Sequence, residues 1–142
     1  MRTGGYILPS NIEELILKAK DILEKHNSII FAYLFGGLAK GRISPISDID
    51  IAVYLRETEN LLEVKLEILS LLSEVLNTDE IDLVILNTAP LPLKARIIQN
   101  KKVLVDKDPS LRYSFESLTL REYFDFSIKE RDILYRRYNI VR

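Results

Sequence analysis

Ile29-Ile30-Phe31-Ala32-Tyr33-Leu34-Phe35-Gly36-Gly37-Leu38-Ala39-Lys40-Gly41-Arg42, followed after five residues by Asp48-Ile49-Asp50-Ile51-Ala52-Val53-Tyr54-Leu55, decides the fold. The first seven residues are apolar on both faces and rich in β-branched and aromatic side chains, which predicts a strand buried on two sides. It stops at a glycine pair. The second run opens with two carboxylates and continues apolar, so it reads as another buried strand with acidic residues at its mouth.

Outward from these strands, helical and extended patterns alternate. Ser10-Asn11-Ile12-Glu13 has the spacing of a capping box, and Ile12, Leu15, Ile16, Ala19, Ile22 and Leu23 then form one apolar stripe ending near His26. Thr58 is a candidate cap for a helix reaching about Leu76, and its many apolar residues predict burial on more than one side. Glu80 to Leu86 reads as a third strand with Asp82 near its start. Pro90 and Pro92 suit the opening of a helix through about Gln99, and Lys102 to Val105 is a short fourth strand. Asp108-Pro109 is a cap followed by a first-turn proline, after which nothing breaks a helix before Arg142. The expected class is α/β (α+β): a small mixed sheet flanked by helices, with a core over residues 1–106 and a long C-terminal helical extension over 107–142 packed on it.

Composition excludes several functions. The 142 residues fit one domain, and 20 basic against 21 acidic residues give a net charge of -1, too little field for a general nucleic-acid or membrane-surface binder. The absence of cysteine removes disulfides, thiolate metal ligands and cysteine nucleophiles, while the single His26 removes histidine-cluster metal sites. No apolar run approaches the ~18 residues of a membrane span and no signal-peptide core follows the N-terminus, so a cytoplasmic protein is expected.

Asp48 and Asp50, two apart in a strand, project from one face and need a cation between them. Their hard oxygens, with no histidine or cysteine nearby, favour Mg²⁺ or Mn²⁺ over zinc. Asp82 is the natural third carboxylate. Upstream, Gly36 and Gly37 followed by Lys40, Gly41 and Arg42 make a close-approach loop with two cations. Backbone N–H groups there can reach a phosphate, and a helix starting at Leu38 would turn its positive end to the same place. His26, at a helix end, reads as structural.

Phe35 to Arg42, then Ser47-Asp48-Ile49-Asp50-Ile51-Ala52-Val53, resembles the signature of the DNA-polymerase-β-type nucleotidyltransferases: Gly-Ser, ten residues, Asp-x-Asp. The ten residues here are Leu38 to Ser47. The pattern is most similar to the minimal nucleotidyltransferases (MNT), small prokaryotic proteins paired with HEPN-domain partners and understood as antitoxins. Glu80 to Val84 resembles the strand bearing their third metal aspartate. Pro90 to Val105 resembles the segment after it, and Phe115-Glu116, Thr119 and Tyr123-Phe124-Asp125 resemble their C-terminal helix.

The resemblance implies a nucleotidyltransferase fold, a site of Asp48, Asp50 and Asp82 holding two Mg²⁺, and a nucleotide cradle of Gly36, Gly37, Lys40, Gly41, Arg42 and Ser47. It further implies transfer of AMP from ATP to a tyrosine of a HEPN ribonuclease toxin. One departure stands out: Gly37 replaces the motif serine, removing a hydroxyl that would bond a phosphate. Two other functions therefore stay open, a module that blocks the toxin sterically and a transferase acting on a small molecule. Self-association also stays open. Ile133, Leu134, Tyr138 and Val141 on the long C-terminal helix form an expected contact surface for another chain.

Overall fold

The computed structural model describes residues 9–39, 49–57 and 60–138. The chain order is α1 (Pro9–Lys25), β1 (Ile29–Phe35), α2 (Gly36–Ala39), β2 (Ile49–Leu55), α3 (Leu61–Leu76), β3 (Ile81–Ile85), α4 (Leu91–Gln99), β4 (Lys102–Asp106) and α5 (Pro109–Tyr138). The strands form one mixed sheet in the order β3-β2-β1-β4. β1 pairs antiparallel with both β2 and β4, while β2 and β3 run parallel.

Strand alternation divides the core in two. Leu34, Ile51, Val53, Leu83 and Leu104 face one side, where Ala19 and Leu23 of α1 and Ile68, Leu72 and Leu76 of α3 cover them. Phe31, Tyr33, Phe35 and Ala52 face the other, against Ile97 and Ile98 of α4 and Leu111, Phe115 and Leu120 of α5. A register shift between Ile29 and Phe31 puts Ile30 and Phe31 on the same side, so β1 delivers an extra apolar residue to the α4–α5 face. Phe31 stacks on Tyr54 with centroids 4.8 Å apart, and Phe115 of α5 packs against both rings tilted by 54° and 60°. Rings of this size each contribute roughly 1.5–3 kcal/mol on burial.

Local chemistry explains most element ends. Asp108 accepts a hydrogen bond from the Leu111 N–H at 3.1 Å, the expected cap of α5. α3 departs from expectation at its start. Its cap is Asn60, whose side chain accepts from the Glu63 N–H at 3.0 Å while donating to the Glu63 carboxylate at 3.1 Å. Thr58 lies outside the described residues. The expected two-sided burial of α3 also fails: one stripe of Ile68, Leu72 and Leu76 is buried, but Leu62 and Leu66 are exposed. The sheet has room for only one of that helix's apolar faces.

α5 is a single helix of 30 residues, about 45 Å long. Its buried residues, Arg112 and Thr119, lie in the first half, whereas Phe124, Phe126, Ile128, Ile133, Leu134 and Tyr135 are exposed. Tyr138 has no described side chain, and Val141 lies outside the described residues. Among the described residues no helix is long and apolar enough to cross a membrane.

Candidate functional site

The site begins where β1 turns into the single turn of α2. Gly36 carries φ +73°, a left-handed conformation that costs any residue with a Cβ. Space is also closed to a side chain. A Cβ built there would overlap Asp50 Oδ2 and come within 3.0 Å of Asp50 Cγ. Glycine thus lets the chain bend across the Asp50 carboxylate at van der Waals range. Gly37 lacks this constraint, because Gly36 is the only glycine of positive φ among the described residues. α2 starts at Gly36 rather than at the expected Leu38.

Sheet register brings the second carboxylate alongside. Asp50 pairs with Phe35 across the antiparallel ladder and with Asp82 across the parallel one. Partners in register project to the same face, and neighbouring strands lie about 4.8 Å apart. Asp50 and Asp82 therefore stand side by side at the N-terminal ends of β2 and β3, beside the C-terminal end of β1. Asp50 is half-buried and Asp82 exposed, above a floor of Phe35, Ala52 and Val84. Asp48, Lys40, Gly41, Arg42 and Ser47 lie outside the described residues. Among the described residues no cluster of three metal-ligating side chains forms. The two carboxylates offer only hard oxygen donors, which suits Mg²⁺.

His26 takes no part. It precedes β1, roughly 20 Å of strand away from the Phe35 end. Its Nδ1 accepts the Ser28 N–H at 3.2 Å, leaving Nε2 to donate to Glu67 of α3 at 3.1 Å, so the ring ties α1 to α3.

A buried polar cluster holds α5 against the site's face of the sheet. The Tyr33 hydroxyl donates to Glu116 Oε2 at 2.6 Å, and Arg112 donates to the same oxygen and to Asp106, both at 2.9 Å. Lys101 lies 3.3 Å from the other Glu116 oxygen. Burial pushes the Tyr33 hydroxyl well above its ordinary range, and the Glu116 charge pushes it further. Burial opposes ionisation of Glu116, but the Tyr33 and Arg112 hydrogen bonds and the Lys101 charge outweigh it and hold the carboxyl below its ordinary value. This cluster joins residues up to 83 positions apart, and no local sequence pattern announces it.

A groove of about 430 Å³ runs along β3 from Asp82, between the start of α3 and the β3–α4 connection. Sequence reasoning missed it, although the surplus of apolar residues at the start of α3 was its signal: Leu61 and Leu62 line the groove.

A comparison with protein-family models matches residues 17–110, well over half the chain, to the polymerase beta nucleotidyltransferase family. The chain belongs to this family. Three solved structures illustrate the fold of this nucleotidyltransferase. The MntA–HepT toxin–antitoxin is 24% identical, with 89% of this chain and 96% of that one covered and a TM-score of 0.62. A toxin–antitoxin structure with AMP-PNP is 23% identical over 90% and 96% of the two chains, TM-score 0.65. A tri-AMPylated HEPN toxin in complex with MNT antitoxin, from Shewanella oneidensis, is 23% identical over 89% and 96%, TM-score 0.63. A comparison with curated proteins finds no match.

Proposed function

We propose that this nucleotidyltransferase is an antitoxin of the minimal nucleotidyltransferase branch that transfers AMP from ATP to a tyrosine of a HEPN ribonuclease toxin in the cytoplasm. The observation that carries the reading is the Asp50–Asp82 pair, in register on one face and backed by the Cβ-free Gly36. The likeness to complexes holding AMP-PNP or an AMPylated HEPN toxin supports the choice of nucleotide and partner.

In this reading Asp48, Asp50 and Asp82 hold two Mg²⁺ ions, with Mn²⁺ an acceptable substitute, which when bound neutralise phosphate charge and lower the pKa of the attacking hydroxyl. Backbone N–H groups at Gly36 and Gly37 approach the triphosphate, Gly41 and Ser47 complete its cradle, and Lys40 and Arg42 balance its charge. The tyrosine oxygen forms a bond to the α-phosphorus, the α–β phosphoanhydride breaks, and pyrophosphate leaves. Asp82, exposed at the edge of the sheet, accepts the tyrosine proton.

A second reading has its own observation. Gly37 stands where the family motif has serine, and a lost charge-assisted hydrogen bond is worth about 1.5–3 kcal/mol. On that reading the fold blocks the toxin sterically. Incubation with ATP, Mg²⁺ and the HEPN protein proposed as its partner, followed by intact-mass measurement, separates the two. AMP additions on tyrosine, lost in Asp50→Asn with the fold retained, support transfer. An unmodified partner whose ribonuclease is nevertheless inhibited supports the steric module, and transfer at full rate by Asp50→Asn removes the site assignment.

A further inference from the structure

β3 ends the sheet, and among the described residues no strand pairs with its outer side. The Ile49 N–H donates to the Glu80 carbonyl and the Leu86 N–H to the Val53 carbonyl, both at 2.9 Å. These bonds set the parity of the parallel ladder: Asp82 and Val84 direct their main-chain groups inward to β2. The N–H and C=O groups of Ile81 and Leu83 and the N–H of Ile85 consequently face outward, while the Ile85 carbonyl already accepts from the Thr88 N–H at 3.3 Å.

The groove described above lies along this outward edge. Leu61, Leu62 and Lys65 of α3 form one wall, while Pro90 and Leu93 form the other. Its walls thus come from helices on opposite faces of the sheet, which is the setting an added strand meets. Asp82 lies at one end of the groove, so an occupant running along β3 reaches the carboxylate pair.

We propose that the open edge of β3 binds an extended segment of the acceptor protein as a fifth strand, delivering its tyrosine to Asp82. The inference rests on the transfer reading above and specifies how the substrate is presented. Outward donors and acceptors at every second residue match the repeat of an extended backbone, and no compact ligand satisfies them together. Apolar walls on both faces take the alternating side chains of the added strand. Lys65 on the rim favours an acidic side chain in that segment, and among the described residues it is the groove wall's only cation, too little charge for a nucleic-acid backbone.

The test uses the full chain with the HEPN protein proposed above as its acceptor. Hydrogen–deuterium exchange should show residues 81–86 protected when that protein is added. Leu62→Glu, at a position 66% exposed and therefore tolerant of charge, should raise KM for the protein acceptor about ten-fold and leave KM for ATP unchanged. Leu66→Glu, one turn along α3 and outside the groove lining, should change neither. An unaltered acceptor KM in Leu62→Glu, or transfer without protection of β3, overturns edge docking and leaves the catalytic reading intact. Protection without any transfer keeps edge docking and removes the catalytic reading. Protection by ATP and Mg²⁺ alone would assign the groove to the nucleotide and overturn the proposal.

Discussion

Replacing Gly36 by alanine should separate stability from catalysis. The added Cβ overlaps the end of the Asp50 side chain, and that side chain can rotate away, whereas the backbone at φ +73° cannot relax without dislodging β1 from β2. Left-handed strain costs about 1–2 kcal/mol, and residual crowding raises the expected loss to roughly 1–3 kcal/mol. At about 4 °C per kcal/mol, melting should fall by roughly 4–12 °C. On the proposed role of Asp50, catalysis should suffer more, because displacing a reacting or metal-holding group by about 1 Å costs on the order of a hundred-fold in rate. Thermal unfolding followed by circular dichroism measures the first effect, and initial rates of AMP transfer the second. In an Asp50→Ala background the crowding is absent, so Gly36→Ala should there cost only the backbone strain, about 1–2 kcal/mol. A Gly36→Ala protein that melts within a degree of the parent and transfers at its rate would refute the close approach of Gly36 to Asp50.

Three further outcomes are expected. Glu116→Ala should destabilise by about 3–5 kcal/mol in urea titrations, since it strands the nine-tenths-buried Arg112 without one of its carboxylates. Because the folded Glu116 carboxyl sits below its ordinary value, its contribution is present above pH ~4.5 and is lost as pH falls through the lowered value, so Glu116→Gln should flatten the acid limb of stability against pH. Gly37→Ser should tighten ATP binding by one to two orders of magnitude in calorimetric titration, in line with about 1.5–3 kcal/mol for the restored bond, and weaker binding would show that the hydroxyl points away from the phosphates. Truncation after Asp125 should leave a folded core by near-ultraviolet circular dichroism, because Arg112 and Thr119 precede the cut, and should lower affinity for the HEPN protein. Full affinity after truncation would place that contact elsewhere.

Much of this architecture is readable from periodicity alone. All four strands and the four longer helices follow from apolar spacing and caps, because their signals are local. The boundary errors are local as well. Asn60 competed with Thr58 as the cap of α3 and won through its reciprocal bonds with Glu63. Burial of α3 was overestimated because apolar spacing reports which residues need a partner surface, not whether this chain supplies it. The Asp50–Asp82 pairing was only half legible: each residue marks a strand mouth, but strand order and register are set by contacts distant in sequence. The glycine pair reads as a close-approach loop, but the left-handed backbone at Gly36 and its contact with Asp50 depend on how β1 meets β2. Tyr33 and Arg112 carry no signal, and Glu116 only its resemblance to the MNT C-terminal helix, because their partnership exists only once α5 lies across the sheet.

The register of β2 has a consequence for how this protein can fail. Shifting β2 by one residue against β1 would turn Asp50 toward the α1–α3 side and drive a carboxylate among leucines and isoleucines. The same slip would take Ile51 and Val53 out of their core and separate Asp50 from Gly36. On the proposed transfer reading, chains with a misaligned sheet are both unstable and inert. On that reading specific activity per mole of protein becomes a folding measurement: it counts molecules whose strands are in register, and a preparation's shortfall reports misassembly rather than a slower catalyst.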